Sequence, residues 1–129
     1  MKIKSIFLIL VTFFSTNCYS KWDIIDFDTD ADGVNYIESD YNKKGNFVKF
    51  WLLRDYINGI KELGVVYYSS KILYQIDCKE RQSKTQQMYF YSDNMGNGKI
   101  IDSTDLSSIS KWKDIIPNSK MDVYRKTVC

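Results

Sequence analysis

Ser69-Ser-Lys-Ile-Leu-Tyr-Gln-Ile-Asp-Cys78 reads as a β-strand that ends on a cysteine. Alternate side chains of a strand point to opposite faces. Ser70, Ile72, Tyr74, Ile76 and Cys78 therefore share one side, and Ser69, Lys71, Leu73, Gln75 and Asp77 the other. The first set is the more apolar and is expected to face a core. The last residue of the chain, Cys129, is a second cysteine. A bridge from Cys78 to Cys129 would tie the C-terminus onto that face of the sheet.

That pairing depends on compartment, and the N-terminus speaks to it. Lys2 and Lys4 precede an apolar run from Ile6 to Phe14, and Cys18-Tyr19-Ser20 places small residues before Lys21. This is the pattern of an export signal, residues 1–20, cleaved between Ser20 and Lys21. The run is too short for a permanent bilayer anchor. Lipidation of Cys18 is the alternative, but Ser15 stands where Leu is usual in a lipoprotein motif, and Asn17 where a small residue is usual. Residues 21–129 then make one domain with a single core. In an oxidising compartment their two cysteines are expected to pair, which leaves Cys78–Cys129. The chain-entropy model values such a long loop at about 4 kcal/mol.

Charge narrows the partners. The chain has 18 basic and 16 acidic side chains, but Lys2 and Lys4 lie in the signal, so residues 21–129 carry 16 of each. Nucleic-acid binding through bulk charge is excluded on that balance. The acids are unevenly placed: Asp23, Asp26, Asp28, Asp30, Asp32, Glu38 and Asp40 cluster at one end.

Taken in order, strands are expected at 22–27, 34–38, 47–57, 67–78, 84–92 and 99–103, giving six. Turns fall at the acidic 28–33, at 39–46 and at the charged 79–83. Asp93-Asn-Met-Gly-Asn-Gly98 is a hairpin signal. In Phe47 to Ile57 neither alternate set is polar, so both faces are expected to be covered, as in a central strand or a dimer surface. Asn58 to Val65, with Gly59 and Gly64, reads as a loop or, through Ile60 and Leu63, as one helical turn, and Thr104 to Ile116 as irregular chain with Trp112 closing one end of the core. Pro117-Asn-Ser119 opens a helix capped by Asn118 or Ser119. Its Met121, Tyr124 and Val128 recur at helical spacing, with Asp122 off that face. The fold class is α+β: an antiparallel sheet of about six strands, with one C-terminal helix packed on one face and tied by the disulfide.

No histidine occurs in the chain, which removes Ser-His-Asp and Cys-His catalysis and His-ligated metals. Asp77 and Glu80 beside Arg81 are the nearest carboxylate pair, and they read as a solvated corner; no enzyme activity and no cofactor are expected. Asp28-x-Asp30-x-Asp32-Gly33 matches the first half of a calcium loop. The bidentate acid is missing, because Ser39 holds the twelfth position. Asp28, Asp30 and Asp32 remain a weak calcium candidate. Trp51, Tyr67, Tyr68, Tyr74, Tyr89, Phe90 and Tyr91 read either as a stacking platform or, at alternate strand positions, as core and cross-strand pairs.

With these residues in view, the chain resembles the surface-adhesin protein E-like domain family of exported bacterial proteins. The resemblance runs from Trp22 through Val34-Asn-Tyr36, Val48-Lys-Phe-Trp51, Asp55-Tyr56, Ser69-Ser70-Lys71, Tyr74 and Asp77-Cys78. It continues through Tyr91-Ser92, Met95-Gly96, Gly98, Trp112, Pro117 and Ser119 to Val128-Cys129. It implies a six-stranded sheet with a disulfide-tied C-terminal helix, a Gram-negative periplasmic or cell-surface location, and capacity for a homodimer. For function it implies an exported binding module for host extracellular-matrix or envelope proteins. A small soluble periplasmic domain without adhesive activity is the alternative.

Overall fold

The computed structural model describes residues 21–62 and 64–129, so the signal at 1–20 and its Ser20/Lys21 cleavage lie outside the described residues. The described chain forms one antiparallel sheet. Its strands are β1 (Trp22–Asp28), β2 (Gly33–Glu38), β3 (Asn42–Lys44), β4 (Phe47–Glu62), β5 (Val65–Asp77), β6 (Gln82–Tyr91), β7 (Ile100–Asp105) and β8 (Lys113–Asp114). The main path, β1-β2-β4-β5-β6-β7, corresponds to the six expected strands and runs as a meander. A single helix, α1 (Lys120–Val128), follows.

The sheet has eight strands and not six because two short ones carry no readable pattern. β3 is three exposed polar residues folded back on β4 as a hairpin, with Gly45 at φ 59° between them. β8 is two residues long and pairs with Gln82 and Ser83 of β6, helped by Gln82 Nε2 donating to Asp114 Oδ1 at 3.0 Å. The stretch read as a loop, 58–65, instead prolongs the central hairpin: Ile60, Lys61 and Glu62 pair with Tyr67, Val66 and Val65. Gly59, at φ 71°, sits in the register shift between Asp55 and Ile60 and not at the turn. A glycine inside a strand marks such a bulge as readily as a loop.

β4 and β5 are the centre of the sheet, which accounts for the mixed faces of Phe47 to Ile57. One face packs α1. Ile37, Val48, Phe50, Leu52 and Ile76 meet Tyr124 and Val128 of the helix, with Ile115 closing the edge. Ile115 takes the place expected of Trp112, which stacks on Phe47 at 5.9 Å with Lys84 4.8 Å over its ring. Cys78 and Cys129 are bonded, with Cα atoms 5.8 Å apart. On β6 a register shift opposite Leu73 and Tyr74 brings Thr85 beside Tyr74, so the alternation of side chains along this strand breaks at Gln86.

The start of α1 also departs from expectation. Ser119 is the cap, its Oγ accepting from Asp122 N at 3.3 Å. Asp122 is buried, although helical spacing placed it off the core face. Its carboxylate accepts from Asn118 N at 2.9 Å and pairs with Arg125 at 2.8 Å and Lys126 at 3.4 Å. These partners, Asn118 first, hold the Asp122 pKa down at about 2 against a smaller opposing effect of burial. A carboxyl depressed in the folded state stabilises above its unfolded pKa and loses that contribution as pH falls through the folded one. Stability should therefore decline between about pH 4 and pH 2. Asp122→Asn should flatten that decline in acid unfolding, and superimposable curves for the two proteins would refute the assignment.

Candidate binding site on the uncovered sheet face

The face opposite α1 is not simply solvated. Strand alternation puts Trp51, Leu53 and Asp55 of β4 there, with Ser69, Lys71 and Leu73 of β5 and Tyr89 and Tyr91 of β6. Leu53 and Ser69 are both fully buried. Their cover includes the 93–98 segment, a single 3-10 turn (Asn94–Gly96) folded back over the central strands.

Four side chains fix that turn. Ser69 Oγ donates to Asp93 O at 2.6 Å and accepts from Gly96 N at 2.8 Å. Asp55 Oδ1 accepts from Met95 N at 2.8 Å and Asn94 Nδ2 at 3.1 Å, and Asn94 Nδ2 also reaches Tyr56 O at 2.9 Å. Ser92 Oγ accepts from Lys99 N at 2.8 Å. Met95 is held at φ 59°, a left-handed conformation that a long side chain adopts at some cost. Gly96 lies so close to Lys71 that a Cβ there would meet Lys71 Cε at 2.5 Å. Glycine at this position thus lets the turn pass close beside the lysine stem. Ser69→Ala removes two of these bonds and should cost about 1–3 kcal/mol in urea unfolding, since Gly96 N–H loses its partner in a part-buried place. A loss within about 0.5 kcal/mol, the range of ordinary surface changes, would show that the turn is held by other means.

Beside this turn, Lys71 stands in an aromatic corner. Its Nζ is 5.6 Å from the Trp22 ring centroid and 5.2 Å from that of Tyr91, both within cation–π range. Trp51 and Tyr89 form the adjoining wall, 5.9 Å apart. Lys21 closes the rim, with its Nζ 5.5 Å from the Trp22 ring and 3.4 Å from Glu38. Its carbonyl is pinned by Ser39 N and Ser39 Oγ at 2.8 and 2.7 Å. The six residues Lys21, Trp22, Trp51, Lys71, Tyr89 and Tyr91 line a concavity of about 200 Å³. Burial, with the nearby Lys21, lowers the Lys71 pKa, while Glu38 opposes the shift. The arrangement offers a cation and flat apolar walls side by side.

Only three of the seven aromatics read as a platform meet here: Trp51, Tyr89 and Tyr91. Tyr74 turns to the helix side against Phe50 at 5.7 Å. Tyr67 and Phe90 stack on each other at 4.9 Å in a separate apolar hollow near the hairpin end. Trp22, Lys21 and Lys71 were not legible as site residues. The signal for Lys71 was its place in the second alternate set of β5, opposite Tyr89. Trp22 arrives from the far edge strand, and no local pattern announces that.

The other sequence candidates hold turns. Asp77 Oδ1 accepts from the backbone N–H groups of Lys79 and Glu80, each at 3.1 Å, which closes the β5–β6 turn. Asp28 pairs with Gly33 at the end of the β1–β2 hairpin, and Asp32, at φ 47°, accepts from Asn58 Nδ2 at 3.4 Å. Among the described residues no cluster of three acidic or cysteine side chains is placed to hold a metal ion. On the helix side Arg54 sits among Tyr74, Tyr56 and Tyr124. Burial opposes its charge, the tyrosine oxygens more than offset this, and its Nε has no partner.

Comparison with known proteins places the fold. The family model for surface-adhesin protein E matches residues 22–129. The chain belongs to the surface-adhesin protein E family. Its fold is that of Haemophilus influenzae protein E: the selenomethionine form superposes with a TM-score of 0.63 at 14% identity, over 88% of this chain and 89% of that one. Crystal form II of the same protein gives 0.63 at 15% identity, over 88% and 91%. Protein E from non-typeable Haemophilus influenzae gives 0.57 at 14% identity, over 88% and 78%. A search of curated protein sequences finds no match. At these identities the structures establish the shared fold alone. Family membership makes the chain a surface-adhesin-like module, and among the described residues no helix is long and apolar enough to cross a membrane.

Proposed function

We propose that the protein is an exported, non-enzymatic binding module that engages host extracellular-matrix or envelope proteins through the sheet face opposite α1. Family membership supports the adhesive class. The observation that carries the choice of face is the corner at Lys71: exposed rims, aromatic walls and a lysine in no close ion pair with a described carboxylate, beside the 93–98 turn. Aromatic side chains of this kind are the usual anchors of protein interfaces. Cleavage at Ser20/Lys21 belongs to the same proposal, as does a homodimer. The main path ends in the edge strands β1 and β7, and pairing between copies would use β7, where Ile100 and Ile101 are exposed. Light scattering that gives only the monomer mass at high concentration would remove the homodimer.

The module reading is tested with antibody on intact cells beside permeabilised ones. Staining of intact cells, with capture of matrix protein by those cells, is the expected result. Staining only after permeabilisation would make the protein a small periplasmic domain with no adhesive role.

A further inference from the structure

We propose that the Lys71 corner binds a carboxylated sugar ring, one uronic- or sialic-acid residue at a time. The carboxylate would sit on Lys71 Nζ and the apolar face of the ring against the Trp22 and Tyr91 walls. The inference rests on the binding-module reading and names its ligand class.

Three features select this chemistry. The first is a charge on which Glu38 acts only from beyond ion-pair distance. Lys71 Nζ contacts the Trp22 and Tyr91 rings but makes no ion pair with any described carboxylate, whereas Lys21 already has Glu38 at 3.4 Å. An ammonium has three donors and no acceptor, so its natural complement is an anion. The second is the sign of the surroundings. The Lys21 and Lys71 ammoniums, with the α-ammonium that cleavage before Lys21 leaves there, outweigh the Glu38 carboxylate and make the rim positive. That favours an anion, and with lysines and no arginine lining the corner a carboxylate fits better than the phosphate or sulfate groups that gather arginines. The third is shape. Four aromatic faces around about 200 Å³ are more wall than an acetate-sized group can use. The space is nevertheless below the roughly 300–1,000 Å³ of pockets for larger ligands. A single six-membered ring with axial C–H groups on one face fills it and stacks on aromatic carbon. A peptide aspartate or glutamate would satisfy the lysine but leave the walls wet.

The site is also preformed. The hydrogen-bonded 93–98 turn lies close beside the Lys71 stem at Gly96, and the two bonds of Ser39 to the Lys21 carbonyl restrain the rim. Little ordering then remains to be done on binding.

The test uses the purified full chain and simple probes: glucuronic acid, N-acetylneuraminic acid, glucose, acetate and inorganic phosphate. The chain has three tryptophans, which give three indole N–H signals in a nitrogen-correlated NMR spectrum. Trp22 and Trp51 should move saturably with one or both acidic sugars while Trp112, on its own stack with Phe47, stays put. The stronger of the two acidic sugars then identifies the source. Lys71→Gln should weaken binding at least tenfold, Lys71→Arg should keep part of it, and Lys120→Gln on the exposed side of α1 should leave it unchanged. Glucose binding as well as the acids, acetate or phosphate moving the same signals as strongly, or no saturable shift at all would each overturn the proposal. None of these outcomes touches capture of matrix protein by intact cells, so the adhesive reading stands or falls separately.

Discussion

Replacing Cys78 and Cys129 together by alanine is expected to lower the unfolding free energy by about 4 kcal/mol. The two residues are 51 apart in sequence, and the bond joins the residue after β5 to the residue that caps the end of α1. In the chain-entropy model the bridge acts on the unfolded state, whose ends it denies a large volume of conformations. For a domain whose whole stability lies near 5–15 kcal/mol, that is a large share. The helix has particular need of it. α1 is nine residues long, shorter than the roughly 12–15 at which isolated helices become marginal in water. Its docking rests on Tyr124, Val128 and the partly buried Met121, with Lys43 Nζ donating to Cys129 O at 3.0 Å as an outer tie. Urea unfolding of the double variant, beside the parent with and without reductant, measures the effect. Reduction of the parent should reproduce most of the loss. A difference below about 1 kcal/mol would mean that the native contacts of α1 dominate and the loop-entropy account fails here.

The fold was largely legible because its main signals are local. Alternation in Ser70, Ile72, Tyr74 and Ile76 marked the helix-facing side of β5, and Asp93 to Gly98 marked the turn before β7. Lost were the features that depend on a distant partner. β3 and β8 have no apolar face and exist only because β4 and β6 offer free edge groups beside them. Gly59 looked like a loop residue, since a bulge in a long hairpin and a turn make the same local demand on φ. Asp122 was placed in solvent because helical spacing ranks it by hydropathy. Its burial is compensated by Asn118 N–H, Arg125 and Lys126, and hydropathy alone does not weigh such partners. The binding corner was the least legible part. Trp51, Tyr89 and Tyr91 were visible as aromatics, but the corner forms only when β1 brings Trp22 over and the 93–98 turn passes close beside Lys71.

Phe50→Ala is expected to cost about 3–5 kcal/mol, the range for deleting a buried aromatic from a core. Phe50 is 1% exposed and lies at the centre of the helix-side core, its ring 5.7 Å from Tyr74 and 6.3 Å from Tyr124. Tyr124 is itself buried on α1, so the cavity opens between sheet and helix, where neither side collapses freely. Combined with loss of the Cys78–Cys129 bond, the expected total is about 7–9 kcal/mol, enough to unfold a domain in the lower half of the usual range. The combination also separates two mechanisms. The bridge acts on the unfolded chain and Phe50 on native packing, so their costs should add within about 0.5 kcal/mol. If Phe50→Ala instead costs much less without the bridge, α1 has already left the sheet in that protein. The disulfide would then be holding the helix in place in the native state.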